Sequence, residues 1–360
     1  MIIKSLRLSD FRNYENLDIN FSEGINILYG NNAQGKTNVL ESMFVAATTK
    51  SHRGSKDREM VMLGKEESHI RLGLEKRGVN HRIDMHIKKN SAKGAAIDGI
   101  RIKKSSELYG MLHVISFSPE DLTMIKNGPA ERRRFMDMEL CQLDRLYISS
   151  LSNYNKILLQ RNNLLKQIPY KPDLRQTLDI WNEQLATYGW QIINTRNQFI
   201  NEIAEIIREK HRLITDGKES LEIIYKPNCD KDRLKEELTA CVEKDIEMKT
   251  TSKGPHRDDI VFEINEVNAR VYGSQGQQRS VALSLKLAEI ELVKRKIKDT
   301  PVLLLDDVLS ELDRNRQTRL LSEIGGVQTF ITCTGLEEFV ETRKDRDSIF
   351  HVENGKVKEM

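Results

Sequence analysis

Residues 29–42 read YGNNAQGKTNVLES, in which Gly30, Gly35, Lys36 and Thr37 satisfy G-x-x-x-x-G-K-[ST]. Ile25, Ile27 and Leu28 make an apolar strand entering this loop, and Leu40, Met43, Phe44 and Ala47 fall at helical spacing after it. Strand, loop and helix in that order are the setting in which the pattern binds phosphates. The glycines let the backbone curl so that N–H groups from Gly30, Asn31, Asn32, Ala33, Gln34 and Gly35 turn inward, and the start of the helix adds positive potential. Lys36 is then a point charge for the β- and γ-phosphate oxygens of ATP, and Thr37 offers a hydroxyl to Mg²⁺. Such a loop alone only binds; hydrolysis also needs a metal anchor and a group that orients water.

Both are offered further along. VLLLDD, residues 302–307, is a fully apolar strand ending in two carboxylates. Packed next to the loop's own strand, it would bring Asp306 to the Mg²⁺ held by Thr37 and leave Asp307 to polarise an attacking water. Lys36 and Asp307 are therefore the catalytic candidates, and Thr37 and Asp306 the metal ligands. A strand running into an acidic helix cap is the competing account of the same two acids.

At 360 residues the chain suits about two domains, or one with a large insertion, on a prior of ~150 residues each. Its 38% apolar and 31% charged residues describe a folded chain rather than a disordered one. The longest clean aliphatic run is VLLL at 302–305, far below the ~20 residues of a membrane span. MIIKSLRLSDFRNY has no secretory apolar core, and Cys141, Cys229, Cys241 and Cys333 show no CxxC spacing, so a cytoplasmic location with free thiols is expected. A net charge of +3 decides little about partners; its distribution matters more. Residues 88–104 carry Lys88, Lys89, Lys93, Arg101, Lys103 and Lys104 against one acid, and Arg132, Arg133 and Arg134 follow. An ordinary solvated face would also account for either cluster.

The first ~125 residues hold short strand-like stretches, with period-two alternation in IRLGLE and HRIDMHI. From about Ala130 the pattern turns helical: one long run through ERRRFMDMELCQLDRLYISSLSNYNKILLQRNNLLKQ, and a second through Leu174, Leu178, Trp181, Leu185, Tyr188 and Ile192 to about Ile214. Two helices of ~30 to 40 residues joined by a Pro-containing turn predict an antiparallel arm. RLKEELTACVEKDIEM predicts another helix, DDIVFEI with VNARVYG a hairpin, TFITCT a strand and HVENGKV a final hairpin. The helical part reads as an insertion between two pieces of one α/β domain.

Ser310–Glu311–Leu312–Asp313 follows the two acids, and SQGQQR at 274–279 opens a helix. With the phosphate loop, these resemble the ABC-type ATPases, in which a signature sequence at a helix N-terminus reaches the γ-phosphate held by a second copy. The resemblance implies two ATPs sandwiched in a two-fold pair, with Ser274, Gly276, Gln277 and Gln278 contacting nucleotide in trans. A flexible turn before a helix is the plainer reading of SQGQQR.

Longer strings narrow this further. LRLSDFRNYENL, KSHRG, FSPEDLTMIKNGPAERRRFMD, KGPHRDDI, YGSQGQQRS and LLLDDVLSELD occur in family order, with the match running to about residue 340, and resemble the RecF family of SMC-like recombination mediators. The resemblance implies an α/β ABC/SMC-like ATPase head: lobe I, a mixed sheet with helices, from 1–125 and 296–360, and a mainly helical lobe II, 126–295, carrying a short antiparallel arm and the signature. It further implies ATP-dependent homodimerisation on duplex or gapped DNA, weak DNA-stimulated ATP hydrolysis acting as a switch, and work with RecR and RecO to load RecA at gaps. Arg12 resembles the arginine that approaches the nucleotide in SMC-like heads. The chain departs from the wider ABC pattern at Asp307, where a glutamate is usual, at Thr332–Cys333–Thr334, where a switch histidine is usual, and around Ser118–Pro119–Glu120, which lacks the Q-loop glutamine.

A DNA-gating protein needs phosphate contacts that are blind to sequence, and the 88–104 cluster is the first candidate for them. His256 and Arg257 in GPHRDD fit either a dimer or DNA face or a hydrogen-bonded structural role. Two rivals from other classes are an ABC subunit that energises transport and a small-molecule P-loop kinase.

Overall fold

Every residue of β8 (Val114–Phe117), β12 (Val302–Asp306) and β13 (Thr329–Cys333) is buried, the pattern of parallel strands covered on both faces. They belong to a six-stranded sheet ordered β15-β14-β3-β13-β12-β8, completed by β3 (Ile25–Tyr29), β14 (Ser348–Glu353) and β15 (Lys356–Glu359). All pairings are parallel except the β14–β15 hairpin. The structure, a computed structural model, describes residues 1–335 and 347–360; the end of the span matched by family strings, 336–340, lies outside the described residues.

One expectation changes here. The strand ending in Asp306 does not lie next to the phosphate-loop strand, because β13 pairs with both β3 and β12. Parallel strands put their C-terminal ends at one edge, so Asp306 still arrives near the loop, with Thr332 of β13 between. α1 (Lys36–Thr48) follows the loop and is buried along most of its length, and α2 (Asp57–Met60) follows it.

A second, antiparallel sheet is ordered β2-β1-β4-β5-β6-β7: β1 (Ile2–Phe11), β2 (Tyr14–Asn20), β4 (Glu67–Lys76), β5 (Val79–Lys88), β6 (Gly94–Ile97) and β7 (Ile100–Arg101). Ser68, Ile70, Leu72 and Leu74 of β4 and Ile83, Met85 and Ile87 of β5 are buried, while Glu67, His69 and Arg71 alternate to the exposed face. These sheets, with α3 (Pro119–Thr123) at the boundary and α11 (Arg314–Glu323), build a unit comprising Met1–Leu122 and Leu285–Met360.

The other unit spans Thr123–Ser284. The single long helix expected from 131 splits into α4 (Pro129–Leu143) and α5 (Arg145–Gln167), because Asp144 leaves helical geometry and its carboxylate caps α5 at the Leu146 N–H. α6 (Leu178–Ile214) is the partner of α5, so the arm helices have 23 and 37 residues, the first shorter than the length expected for it. Leu165, Ile168 and Leu178 bury themselves at the arm's turn against Leu174, Val242 and Ile246. The helix expected over 233–248 breaks at Cys241 into α7 (Leu234–Ala240) and α8 (Val242–Met248). β9 (Leu221–Lys226) and β10 (Asp259–Ile264) pair antiparallel, but the second arm of the expected hairpin is only β11 (Val267–Asn268). Asn268 accepts hydrogen bonds from the Arg270 and Val271 N–H groups and turns the chain into α9 (Ala269–Tyr272), after which α10 (Gln275–Ile297) begins.

Candidate functional site

The phosphate loop is shaped by what surrounds its glycines. Gly35 caps α1 with φ 115, and a Cβ there would lie 2.5 Å from the Asn13 amide nitrogen. Gly30 has φ 149, and its Cβ would meet the Val352 carbonyl oxygen at 2.3 Å. Asn13 donates through Nδ2 to the Gln34 carbonyl at 2.9 Å, and the β14–β15 turn donates the Asn354 N–H to Gln34 Oε1 at 2.6 Å. The loop is thus held from outside by residues 13 and 354.

Lys36 is buried, and its ammonium donates to the Gly30 and Asn31 carbonyls at 2.5 and 2.8 Å. Burial pushes its pKa down, and the nearby Asp307 carboxylate works against that. Thr37 donates through Oγ1 to Asp306 Oδ1 at 2.8 Å, and Thr332 donates to the same oxygen at 2.8 Å. Thr332 Oγ1 also accepts the Asp307 N–H at 2.8 Å, so β13 places one hydroxyl between both acids. Asp307 itself has φ 53, a left-handed conformation costly for a non-glycine residue and common where a site over-determines the backbone. Burial raises its pKa, opposed by Lys36, which suits a carboxylate asked to accept a proton.

Asn32, Ala33, Gln34, Gly35, Lys36 and Thr37 line a cleft of about 370 Å³ together with Asn38, Arg53, Asp307 and Thr332. The hydroxyl of Thr37 and the carboxylate of Asp306 are hard oxygen donors in direct contact, a donor pair that fits Mg²⁺, which takes one or two protein oxygens and completes its shell with phosphate and water.

The expectation for Arg12 is revised. Arg12 is not among the cleft-lining residues: its guanidinium is committed to Glu41 at 2.7 and 2.8 Å, to Ser55 Oγ at 2.6 Å and to the Glu59 carbonyl at 2.6 Å. Its neighbour Asn13 reaches the loop instead. Arg53, which does line the cleft, was carried by the KSHRG string but not singled out within it.

At the signature, Ser274 and Gln277 form a capping box for α10: the Ser274 N–H donates to Gln277 Oε1 at 2.9 Å, and the Gln277 N–H to Ser274 Oγ at 3.2 Å. Ser274 is exposed, at the start of a 23-residue helix. Gln278 differs from expectation, because its carboxamide turns inward and donates to the Ala269 and Gly273 carbonyls at 3.1 and 3.2 Å. The Gln277 side-chain nitrogen is likewise engaged, by Glu219 at 3.0 Å.

The basic cluster is divided. Lys93 is held inward by Asp57 at 2.8 Å and by the Thr49 carbonyl, which leaves it poorly placed to meet DNA. Lys89 lies 3.7 Å from Glu66, and Lys103 and Lys104 are exposed beside the turn capped by Glu107. Lys88 and Arg101 come together with Arg7 and Arg71 along a groove of about 830 Å³ on the antiparallel sheet. Arg7 and Arg71 were missed because alternate positions on separate strands form no run in the sequence.

His256 has a structural environment. Tyr154 donates its hydroxyl to Nδ1 at 2.7 Å, and Nε2 donates to the Thr251 carbonyl at 3.0 Å, an arrangement that fixes the neutral tautomer. Burial pushes its pKa down to about 4. A histidine depressed in the folded state takes up its proton first in the unfolded chain, so its contribution is intact above pH ~6.5 and is lost as pH falls toward 4. The expected loss is about 3 kcal/mol over that window, at about 1.36 kcal/mol for each tenfold change in proton affinity. Urea unfolding at pH 7 and pH 4 should show it, and His256→Gln should flatten the slope; an unchanged slope would assign the effect elsewhere.

A family model described as RecF/RecN/SMC N terminal domain matches residues 2–358. The DNA replication and repair protein RecF of Lachnoclostridium phytofermentans is 58% identical over 357 residues, 99% of each chain. The protein of the same description from Clostridium acetobutylicum is 43% identical over 364 residues, 100% of each. Among solved structures, the recombination mediator protein RecF with ATP superposes with a TM-score of 0.93 at 35% identity, over 100% of this chain and 97% of that one. The Smc head domain of Pyrococcus furiosus, at 15% identity and a TM-score of 0.57 over 100% of this chain and 96% of that one, shares the fold.

Proposed function

The chain belongs to the RecF family of DNA replication and repair proteins, and from that premise we propose that ATP in the phosphate loop decides whether two copies close on DNA. The observation that carries the reading is the joint hold of Thr37 and Thr332 on Asp306, with Asp307 set one residue beyond it in the same cleft. Lys36 exchanges its loop carbonyls for β- and γ-phosphate oxygens, Arg53 adds positive charge at the cleft wall, and Asp307 orients and accepts a proton from the attacking water. Thr37 and Asp306 would hold Mg²⁺, which when bound neutralises charge shared between the β- and γ-oxygens. Ser274 and the first N–H groups of α10 reach the γ-phosphate of the second copy, so each site is completed in trans. Hydrolysis is slow, because the aspartate at 307 is shorter than a glutamate and holds water less well.

Lys88, Lys89, Arg101, Lys103 and Lys104, joined by Arg7 and Arg71, contact DNA phosphates, and affinity falls steeply with salt. Work in the cytoplasm with RecR, RecO and RecA belongs to this reading, supported by a solved relative described as a mediator in the RecFOR pathway. The transport alternative has no comparable support, and among the described residues no helix is long and apolar enough to cross a membrane.

Sedimentation with ATP, ADP or neither, with and without duplex DNA, tests the switch. Wild type should dimerise with ATP and hold DNA, and Lys36→Met should do neither; a Lys36→Met chain that behaves as wild type overturns the mechanism. Mixing Ser274→Arg with Lys36→Met subunits leaves one intact composite site per heterodimer and should regain ATPase that neither variant has alone. No recovery would argue against completion in trans.

A further inference from the structure

The exposed face of the antiparallel sheet carries three side chains for which the nucleotide cleft has no use. Period two puts Glu67 and His69 of β4 on one face, and the register sets His86 of β5 directly opposite His69. The two imidazoles stack with centroids 4.2 Å apart and planes 20° apart. His86 Nε2 lies 2.8 Å from Glu67 Oε2, and His69 Nε2 lies 3.7 Å from Glu67 Oε1. One ligand atom from each residue falls within 4.8 Å of the other two, the one such group among the described residues.

We propose that Glu67, His69 and His86 form a binding site for a divalent transition metal of the zinc class. Bonds of about 2.0–2.2 Å in a tetrahedral shell place ligand atoms about 3.4 Å apart, so binding requires the two imidazoles to tilt out of their stack until their in-plane nitrogen lone pairs converge, a movement their partly exposed positions permit. Two imidazoles and a carboxylate leave a fourth position open, as in catalytic rather than structural zinc sites. The charges around the cluster oppose a cation held by attraction alone: Lys88 Nζ is 3.9 Å from Glu67, and Arg7, Arg71 and Arg101 border the same groove, with Asp84 paired to Arg71 at 2.6 Å. Selection therefore rests on imidazole coordination, which favours zinc, nickel, copper or cobalt over Mg²⁺. This separates the site from the all-oxygen pair Thr37 and Asp306, and the proposal stands independently of the nucleotide switch.

The test uses the full chain without nucleotide, in excess Mg²⁺, titrated with Co²⁺ by absorption and with Zn²⁺ by calorimetry. Wild type should bind one ion per chain with the d–d spectrum of nitrogen and oxygen ligands and no thiolate charge-transfer band. His69→Ala and His86→Ala should each weaken binding at least tenfold, and Glu67→Gln about tenfold. The proposal is overturned if wild type binds no ion, or if the His69→Ala/His86→Ala double variant, folded by circular dichroism, keeps wild-type affinity. The first outcome leaves a plain hydrogen-bonded cluster; thiolate bands in the second would move the ion to the cysteines.

Discussion

Asp306→Asn should lower ATP hydrolysis by about 100-fold or more while the chain stays folded and still takes up nucleotide. The carboxamide oxygen can go on accepting the Thr37 and Thr332 hydroxyls that now meet Oδ1 at 2.8 Å each, so the edge of the sheet keeps its geometry. What disappears is the negative charge, and with it the ligand strength a hard cation requires. The substitution therefore separates position from charge. Steady-state turnover against Mg²⁺ concentration should show a lower maximum and a weaker dependence, while binding of a fluorescent nucleotide changes by a few-fold at most. Turnover within a few-fold of wild type would remove Asp306 as the metal anchor and return it to a helix-capping role.

The parts of this site legible in the sequence are those that are local in the chain. Residues 30–37 are contiguous, β12 announces itself by four apolar residues before two acids, and SQGQQR sits at the start of a long helical run. What escaped depends on strand order. Nothing near VLLLDD indicates that β13 inserts between it and the loop strand, and Thr332 was read only as a position where a histidine is missing. Its hydroxyl in fact ties Asp306 to the Asp307 backbone.

Arg12 shows the same limit from the other side. Its string, FRNY, gave no sign that a carboxylate 29 residues later would take two of its N–H groups. The neutral neighbour Asn13 then holds the loop. Helix breaks followed a different rule: Asp144 is a good N-cap, and a run free of Pro and Gly can still be cut by one. In GPHRDD, specificity as a string came from burial, since Asp258 and Asp259 pair with arginines 62 and 127 residues away.

That last pairing predicts the largest stability effect. Arg196 is 2% exposed and donates to Asp258 at 2.8 Å, Asp137 at 2.8 Å, the Pro255 carbonyl at 2.7 Å and the Tyr147 hydroxyl at 3.0 Å. Asp258 is fully buried, and among the described residues its carboxylate otherwise accepts only from the Tyr225 hydroxyl and the Asn228 N–H. Arg196→Met keeps most of the volume but strands that carboxylate, so it should cost about 3–5 kcal/mol, a large part of the stability of an ordinary domain. Asp258→Asn should cost less, because Arg196 keeps the Asp137 carboxylate as a counter-charge. Removing both charges is expected to be milder than the sum of the single changes by at least about 1 kcal/mol, because the carboxylate that Arg196→Met strands in a low dielectric is then gone. Urea unfolding of the four chains in the cycle gives the answer. Strict additivity would mean that the two groups do not interact, and that GPHRDD is held by its backbone contacts rather than by this ion pair.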